Sequence, residues 1–154
     1  MEIKKSIQKW LEEENIEYSE INEQKKIFHF MLNDIGELKM RIEIYQEKDH
    51  PDITIGFMTF LSKELTFSIY RFTQKQKENF KRKVDDFLST LRVDYRTGIR
   101  VGYEIVSESG HYGAKYFIKT SPQDFDKEKF FRILEKTKDT GKRSDEFLHQ
   151  TLNK

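Results

Sequence analysis

The chain has 154 residues, of which 28 are lysine or arginine and 27 are aspartate or glutamate, so its formal net charge is only +1. This balance gives no overall attraction to nucleic acid or to an anionic membrane, and the absence of cysteine excludes disulfides, thiolate metal sites and cysteine nucleophiles. The 13 phenylalanines and 7 tyrosines supply enough large apolar surface for one folded domain over residues 1–154.

The first predicted element is an amphipathic helix over residues 2–14. Ile3, Ile7 and Leu11 recur there at helical spacing among lysines and glutamates. Three consecutive glutamates at residues 12–14 oppose the helix dipole at the end of this helix. The sequence therefore predicts either a basic neighbour in the fold or fraying at this end.

A meander of short strands is predicted to follow the helix. Alternating apolar residues and β-type runs bounded by turn residues predict strands over residues 16–21, 27–33, 38–44, 53–60 and 65–69. Pro51 and its polar neighbours form the clearest turn between two of these strands. The first half of the chain is therefore predicted to be an antiparallel meander.

A second helix and a hairpin come next. Thr73 and Gln76 match a capping box, which predicts a helix that runs to about Leu91. Alternation then predicts two strands, over residues 99–105 and 116–118, which can pair as a hairpin.

The chain from Ser121 onward is predicted to be mainly helical. Ser121 and Pro122 combine an N-cap hydroxyl with a proline at the first helical position, and Asp124 would lie in the first turn. This helix is predicted to end near Gly141. A short final helix from Ser144, or a frayed tail, would follow.

This order of elements predicts an α+β fold, in which an antiparallel sheet (meander plus hairpin) carries its helices packed on one face. It argues against the alternating βαβ order of cofactor-binding parallel sheets. No window approaches the ~18 consecutive apolar residues of a membrane span, and the N-terminus is not a secretory signal. We therefore expect a cytoplasmic protein with no membrane partner.

The residues of catalytic chemistry form no recognisable motif. His29 lies in a predicted strand, where it would touch solvent or make a satisfied core contact. His50 is predicted to belong to a turn rather than to a metal site, and His111 to a hairpin tip rather than to a phosphate-binding loop. A small-molecule or metal sensor that uses His50 or His111 is a third hypothesis. His149 follows Asp145 by four residues, as in a helix-surface pair. We predict no enzyme, with no catalytic residue, metal or cofactor.

Apolar residues left over on the second face of the strands predict an interaction surface. Together with interleaved charges they would form a mixed aromatic and charged face, which suits a twofold dimer or a bound polypeptide, although scattered single exposure is the alternative. An error of one residue in the register would exchange the two faces. The candidate surface residues are Tyr45, Met58, Phe60, Tyr70 and Phe117. The main hypothesis is thus a non-enzymatic protein-interaction or chaperone-like module that is homodimeric or binds another polypeptide.

Charge patterning predicts an alternative function. Residues 71–83 contain six bases and one acid, whereas residues 12–24 contain six glutamates and no base. This basic segment could bind phosphate backbones, or be a solvated helix face, or meet the acidic segment within one chain or across a dimer. A nucleic-acid-binding module would use Arg71, Lys75, Lys81, Arg82, Arg96 and Arg100.

The element order also resembles the type III secretion chaperone-like fold, in which a helix, a three-stranded meander, a second helix, a hairpin and a closing helix form one unit. The matching stretches are residues 3–11, 16–44, 80–91, 99–118 and 130–134. The chain is similar to small uncharacterised archaeal and bacterial families with that fold, related to the bacterial sensory-regulator group. The resemblance implies a homodimer or protein-binding module without catalytic residues. The strands predicted over residues 53–60 and 65–69 depart from the pattern.

Overall fold

A computed structural model describes residues 2–32, 41–91, 100–108, 111–123 and 125–152. The four helices are α1 (Ile3–Glu13), α2 (Lys63–Tyr70), α3 (Gln74–Leu91) and α4 (Lys127–Leu152). The six strands are β1 (Ser19–Glu20), β2 (Lys26–Leu32), β3 (Arg41–Glu47), β4 (Ile53–Phe60), β5 (Arg100–Glu108) and β6 (His111–Thr120). None of the described helices combines the length and the apolar character that a bilayer crossing requires.

The strands form one antiparallel sheet in the order β1-β2-β3-β4-β6-β5. Strands β1 to β4 are the predicted meander, and β5 and β6 are the predicted hairpin, which joins the sheet through its second strand. The α+β fold and the antiparallel sheet are therefore confirmed.

The core lies on one face of this sheet, termed the inner face. Phe30, Ile44, Ile55 and Ile118 lie directly opposite one another on four adjacent strands, and all four are fully buried. Buried side chains of the helices join the same cluster. The inner face therefore carries the helices, as burying the apolar stripe of each helix requires.

Helix α1 is held against the start of α4. The Trp10 ring lies 5.8 Å from the ring of Phe125, measured between centroids. The ammonium group of Lys127 lies 3.7 Å from a carboxylate oxygen of Glu13 and 3.3 Å from one of Glu14. The basic neighbour predicted for the glutamates at the end of this helix is thus confirmed.

The strand predicted over residues 65–69 is wrong, because this segment is helix α2. The Ser62 hydroxyl accepts a hydrogen bond from the backbone N–H of Leu65 at 3.2 Å, which caps the helix, and Glu64 lies in its first turn. Short apolar runs at alternate positions do not distinguish strand from helix, and the capping residues decide here. Tyr70 therefore belongs to a helix and not to the sheet.

The capping box predicted for α3 is confirmed. The backbone N–H of Gln76 donates to the Thr73 hydroxyl at 3.2 Å, and the backbone N–H of Thr73 donates to the Gln76 side chain at 2.9 Å. Phe80, Val84 and Leu91 of α3 are buried and lie on one face of the helix.

Both predicted limits of the third helix are wrong. Helix α4 begins at Lys127, where Asp126 accepts from the backbone N–H of Lys129 at 2.8 Å. The Ser121 hydroxyl instead accepts from the N–H of Gln123 in a turn, and the predicted first-turn Asp124 lies outside the described residues. A serine–proline pair suits either a turn or a helix start, so local sequence does not separate the two.

Helix α4 continues through Gly141 to Leu152 as one helix of 26 residues. Thr137, Thr140, Gly141 and Ser144 are all buried and lie three or four residues apart, which places them on one face of the helix. These small side chains let α4 approach the sheet closely. Packing thus outweighs the roughly 1 kcal/mol that a glycine costs inside a helix.

Candidate interaction face

The second face of the sheet, termed the outer face, is defined by the strand register. Residues directly opposite each other in antiparallel strands share a face, and neighbours along a strand alternate between faces. On strands β2, β3, β4 and β6 the outer face includes His29, Met31, Arg41, Glu43, Tyr45, Thr54, Gly56, Met58, Phe60, Gly113, Lys115, Phe117 and Lys119. Its composition mixes aromatic, sulfur-containing and charged side chains.

Phe117 lies over the centre of the outer face, where it opposes Gly56 of β4. A β-carbon added at Gly56 would lie 2.4 Å from the carbonyl oxygen of Tyr116 and 2.9 Å from the β-carbon of Phe117. Glycine is therefore required for strand β6 to approach β4 here. Phe117 remains partly exposed, and the ammonium group of Lys119 lies 5.6 Å from the centre of its ring.

Met58 is covered by a charged neighbour on the same face. It is 9% exposed, and the guanidinium group of Arg41 lies 3.2 Å from its sulfur. Glu43 lies 3.8 Å from Arg41 and so balances its charge. The stem of Arg41 shields the apolar side chain while its head stays near solvent.

His29 is the buried titratable group of the outer face, with 3% of its surface exposed. Its Nδ1 atom lies 3.7 Å from a carboxylate oxygen of Glu23, and its Nε2 atom lies 3.9 Å from one of Glu43. These distances exceed hydrogen-bond length, and neither ring nitrogen has a hydrogen-bond partner among the described residues. The ring packs edge-on against Tyr45, with the two centroids 5.6 Å apart.

Burial lowers the pKa of His29 from its usual 6.5, and the nearby positive charge of Lys26 lowers it further. Glu43 and Glu23 oppose this shift, and Arg41 adds to it. The Lys26 ammonium group also lies 4.1 Å from the centre of the Tyr45 ring. The histidine is therefore neutral at neutral pH, between two carboxylates that it does not bridge.

The register places four of the five predicted surface residues, Tyr45, Met58, Phe60 and Phe117, at outer-face positions. Tyr45 and Phe117 are partly exposed there, and Met58 is buried beneath Arg41. Phe60 occupies an outer-face position of β4 opposite Gly113. The fifth residue, Tyr70, was predicted to follow a strand of the sheet, and this prediction is wrong. Tyr70 ends helix α2, where 55% of its surface is exposed.

The described residues of the predicted basic patch are distributed over several elements. Lys75 and Arg82 are two turns apart on one face of α3, whereas Lys81 lies about 120° around that helix. Arg82 contacts the side-chain oxygen of Asn79. Arg71, which follows α2, is exposed, Arg96 lies outside the described residues, and Arg100 begins strand β5 at the edge of the sheet.

The acidic segment at residues 12–24 pairs with bases from elsewhere in the chain. The ammonium group of Lys4 lies 2.6 Å from Glu20, and that of Lys26 lies 3.0 Å from Glu23. Together with the ion pairs of Lys127, these contacts pair four of the six glutamates without the bases of residues 71–83. In the described ranges, the two oppositely charged segments do not meet.

An open groove of about 270 Å³ lies beside β1 and the start of β2. The ion pairs of Lys4 and Lys26 lie in its lining, so its charges are already compensated. The described part of the chain contains no cluster of three or more potential metal ligands.

His149 Nδ1 lies 2.8 Å from the backbone oxygen and 3.5 Å from the carboxylate of Asp145, so the predicted helix-surface pair is confirmed.

Sequence reasoning missed the cluster around His29. The signal was a single histidine between Phe28 and Phe30 in a strand of otherwise apolar character. Its two carboxylate neighbours come from a turn and from strand β3, and only the register brings them together.

Acidification from about pH 7 to about pH 5 should destabilise the fold through His29. The folded protein disfavours the protonated ring, so the unfolded chain binds the proton more readily in this range. The contribution to stability is present above the unfolded pKa of 6.5 and is lost as the pH falls toward the lower folded value. Each unit of pKa difference is worth about 1.4 kcal/mol.

Urea unfolding at several pH values measures this effect. His29→Phe keeps a ring against Tyr45 and should flatten the pH dependence between about pH 7 and about pH 5. His50→Gln, at an exposed turn, is the control, and its free energy of unfolding should depend on pH as that of the wild type does. Identical slopes for the His29 variant and the wild type would contradict the assignment.

A family model described as "Uncharacterized conserved protein (DUF2299)" matches residues 3–148. The comparison with curated proteins gave no match. The crystal structure of an uncharacterized protein from Methanothermobacter thermautotrophicus is similar, with a TM-score of 0.71 over 97% of this chain and 96% of that chain. Sequence identity is 18%, so this likeness shows the fold alone.

Proposed function

The chain belongs to the DUF2299 family of uncharacterised conserved proteins, and we propose that it is a non-enzymatic interaction module that forms a homodimer through the outer face of its sheet. The observation that carries this proposal is the partial exposure of Tyr45 and Phe117 on a sheet face opposite to the one that packs the helices. Tyrosine, phenylalanine, methionine and arginine, all present on this face, are the residue types enriched in protein interfaces.

One acidic side chain of the outer face can meet bases of a second copy of the same chain. In the sheet, β4 lies between β3 and β6. A twofold axis parallel to β4 places β3 of one copy over β6 of the other. Glu43 of β3 would then face the strand that carries Lys115 and Lys119, and Tyr45 would lie over the same strand. Arg41 of β3 would lie over Lys115 in this arrangement, so the contacts of Glu43 and of the aromatic rings must outweigh one repulsive pair.

The size of the face also fits a dimer. Six strands spaced by about 4.8 Å, with about seven residues each at about 3.3 Å, give a projected area of roughly 550 Å² before side-chain relief is counted. A standard interface buries about 800 Å² per partner. The projected area of the face is therefore of the same order as that of a standard interface.

We further propose that the fold is related to the type III secretion chaperone-like fold and that the protein is cytoplasmic. The observed order of a helix, a meander, helices, a hairpin and a closing helix supports the first point. The absence of cysteine supports the second, because it fits a compartment in which disulfides do not stabilise proteins.

Light scattering coupled to size exclusion tests the proposal. At tens of micromolar the protein should elute as two 18.6-kDa chains. Phe117→Lys places a third positive charge beside Lys115 and Lys119 and should raise the dimer dissociation constant at least about tenfold. A wild type that stays monomeric at this concentration overturns the homodimer, whether or not another polypeptide binds the face.

Phe67→Lys is the matched control, because it introduces the same charge at an exposed phenylalanine on the helical side of the protein. This variant should remain dimeric. Equal loss of the dimer in both variants would show that the outer face has no special role, and a thermal melt of each variant establishes that it folds.

A further inference from the structure

Helix α2 exposes a stripe of aromatic and basic side chains that the proposed dimer does not use. Lys63, Phe67, Tyr70 and Arg71 are spaced four, three and one residues apart, which places them on one face of this helix. Phe67 is 56% exposed and Tyr70 is 55% exposed. Thr66 and Ile69 of α2 are buried. Packing within the fold therefore leaves more than half of each of the two rings exposed.

Within the described ranges, the bases nearest this stripe have no acidic partners. Residues 63–83 contain seven bases and only two acids. Among the described residues, no ion pair joins Lys63, Arg71 or Lys75 to a carboxylate, in contrast to Lys4, Lys26 and Lys127 elsewhere. This corner of the protein is therefore a cationic surface that an anionic partner would neutralise.

Helix stability does not explain these bases either. The first turn of α3 contains no acidic residue and carries Lys75 and Lys77. Cations at this end of a helix oppose the helix dipole and cost stability. Their position is therefore unfavourable for the isolated fold.

The residue types distinguish between anionic partners. Five of the seven bases in residues 63–83 are lysine, which is depleted in protein interfaces and makes point-charge contacts with phosphate. Two adjacent exposed rings provide the stacking surfaces on which unpaired bases bind. An acidic protein would need neither feature in this combination.

We propose that the aromatic and basic stripe of α2, with the first turn of α3, binds single-stranded nucleic acid. Phe67 and Tyr70 stack on unpaired bases, and Lys63, Arg71 and Lys75 contact the phosphate backbone. Stacking and phosphate contacts carry no base-edge recognition, so binding is tolerant of sequence. This surface replaces the scattered set of bases predicted from the sequence, since it is centred on α2 rather than on α3.

Fluorescence anisotropy with labelled oligonucleotides of about 12 nucleotides, single-stranded DNA and RNA, tests the proposal at about 50 mM salt. We expect binding that weakens as salt rises, with a slope near −2 in a plot of log K against log salt for about three phosphate contacts. A duplex of the same sequence should bind more weakly, because its bases are not free to stack. No binding of either single strand at low salt overturns the proposal.

The double variant Phe67→Ala with Tyr70→Ala separates stacking from general electrostatics. It should weaken binding by about 10-fold to 100-fold and leave the salt slope unchanged. The control, Lys142→Ala with Arg143→Ala, removes two exposed bases of α4 and should leave the affinity unchanged. Equal losses in the two double variants would show that binding follows net charge alone.

Two further outcomes assign the surface to another partner and overturn the proposal. One is tighter binding to vesicles of phosphatidylglycerol than to either single strand. The other is full competition by polyglutamate at equal charge concentration. The oligonucleotide-binding measurement does not depend on the proposed dimer, because Phe67→Lys and Phe117→Lys change different surfaces. Either proposal can therefore fail while the other stands.

Discussion

Replacing Phe130 by alanine should lower the free energy of unfolding by about 3–5 kcal/mol. Phe130 is fully buried, and its ring lies 5.7 Å from Trp10, 6.1 Å from Phe125 and 5.0 Å from Phe131, measured between centroids. Truncation removes these contacts and leaves a cavity where α1, α4 and the segment before α4 meet. Equilibrium unfolding in urea gives the value.

Trp10 makes this measurement direct, because it is the single tryptophan of the chain and it lies in the cluster. Its fluorescence should change on truncation of Phe130 even before unfolding. Phe67→Ala is the matched control, since 56% of that side chain is exposed, and should change stability by less than about 0.5 kcal/mol. A loss at Phe130 no larger than at Phe67 would contradict the packing described here.

Where local chemistry decides the structure, the sequence was enough to predict it. The capping box of Thr73 and Gln76 needs only side chains three residues apart, and it forms as predicted. The alternation along β3 and β4 likewise follows from the strand period, so the meander could be predicted without knowledge of its neighbours. The basic partner of the glutamates ending α1 followed from the helix dipole.

The errors occurred where tertiary packing or a competing local signal decides. Leu65, Phe67 and Ile69 alternate as in a strand, but the Ser62 cap starts a helix there. Gly141 normally suggests a helix end, yet in α4 it is a buried contact with the sheet side of the core. The benefit of close packing against the sheet cannot be read from the helix sequence alone.

The outer face was predictable where it depends on strand alternation and not where it depends on contacts between separate elements. Alternation assigned Tyr45, Met58 and Phe117 to the side opposite the core, where the register places them. The environment of His29 was not predictable, because its carboxylate neighbours come from separate elements. The requirement for Gly56 beneath Phe117 was not predictable either, because only the pairing of β4 with β6 shows why a side chain is excluded there.

The outer face and the α2 stripe differ in how their charges are balanced. On the outer face Arg41 is balanced by Glu43, so that face carries both signs, and we propose a second copy of the chain as its partner. On the stripe, Lys63 and Arg71 have no described acidic partner, and we propose a polyanion as the partner of that surface. A net charge of +1 is compatible with both proposals, because the charges are distributed unevenly over the chain.

Gly56→Ala should lower the free energy of unfolding by about 2–3 kcal/mol, although it adds only one methyl group. The new β-carbon would lie 2.4 Å from the Tyr116 carbonyl oxygen and 2.9 Å from the β-carbon of Phe117. The nearest contact is with backbone, which cannot rotate away, so β6 must move from β4 at the centre of the sheet. A fall in melting temperature of roughly 5–10 °C is expected for a chain of this size.

The variant Phe117→Ala distinguishes the backbone from the aromatic ring as the cause. Alanine keeps the β-carbon of residue 117 and the Tyr116 carbonyl, so it should not rescue Gly56→Ala in the double variant. Restored stability would mean that the ring alone limits the space. Because Gly56 holds β6 close beneath Phe117, its replacement should also displace that ring from the proposed dimer contact. Dimer dissociation in Gly56→Ala should therefore rise under conditions where the variant remains folded.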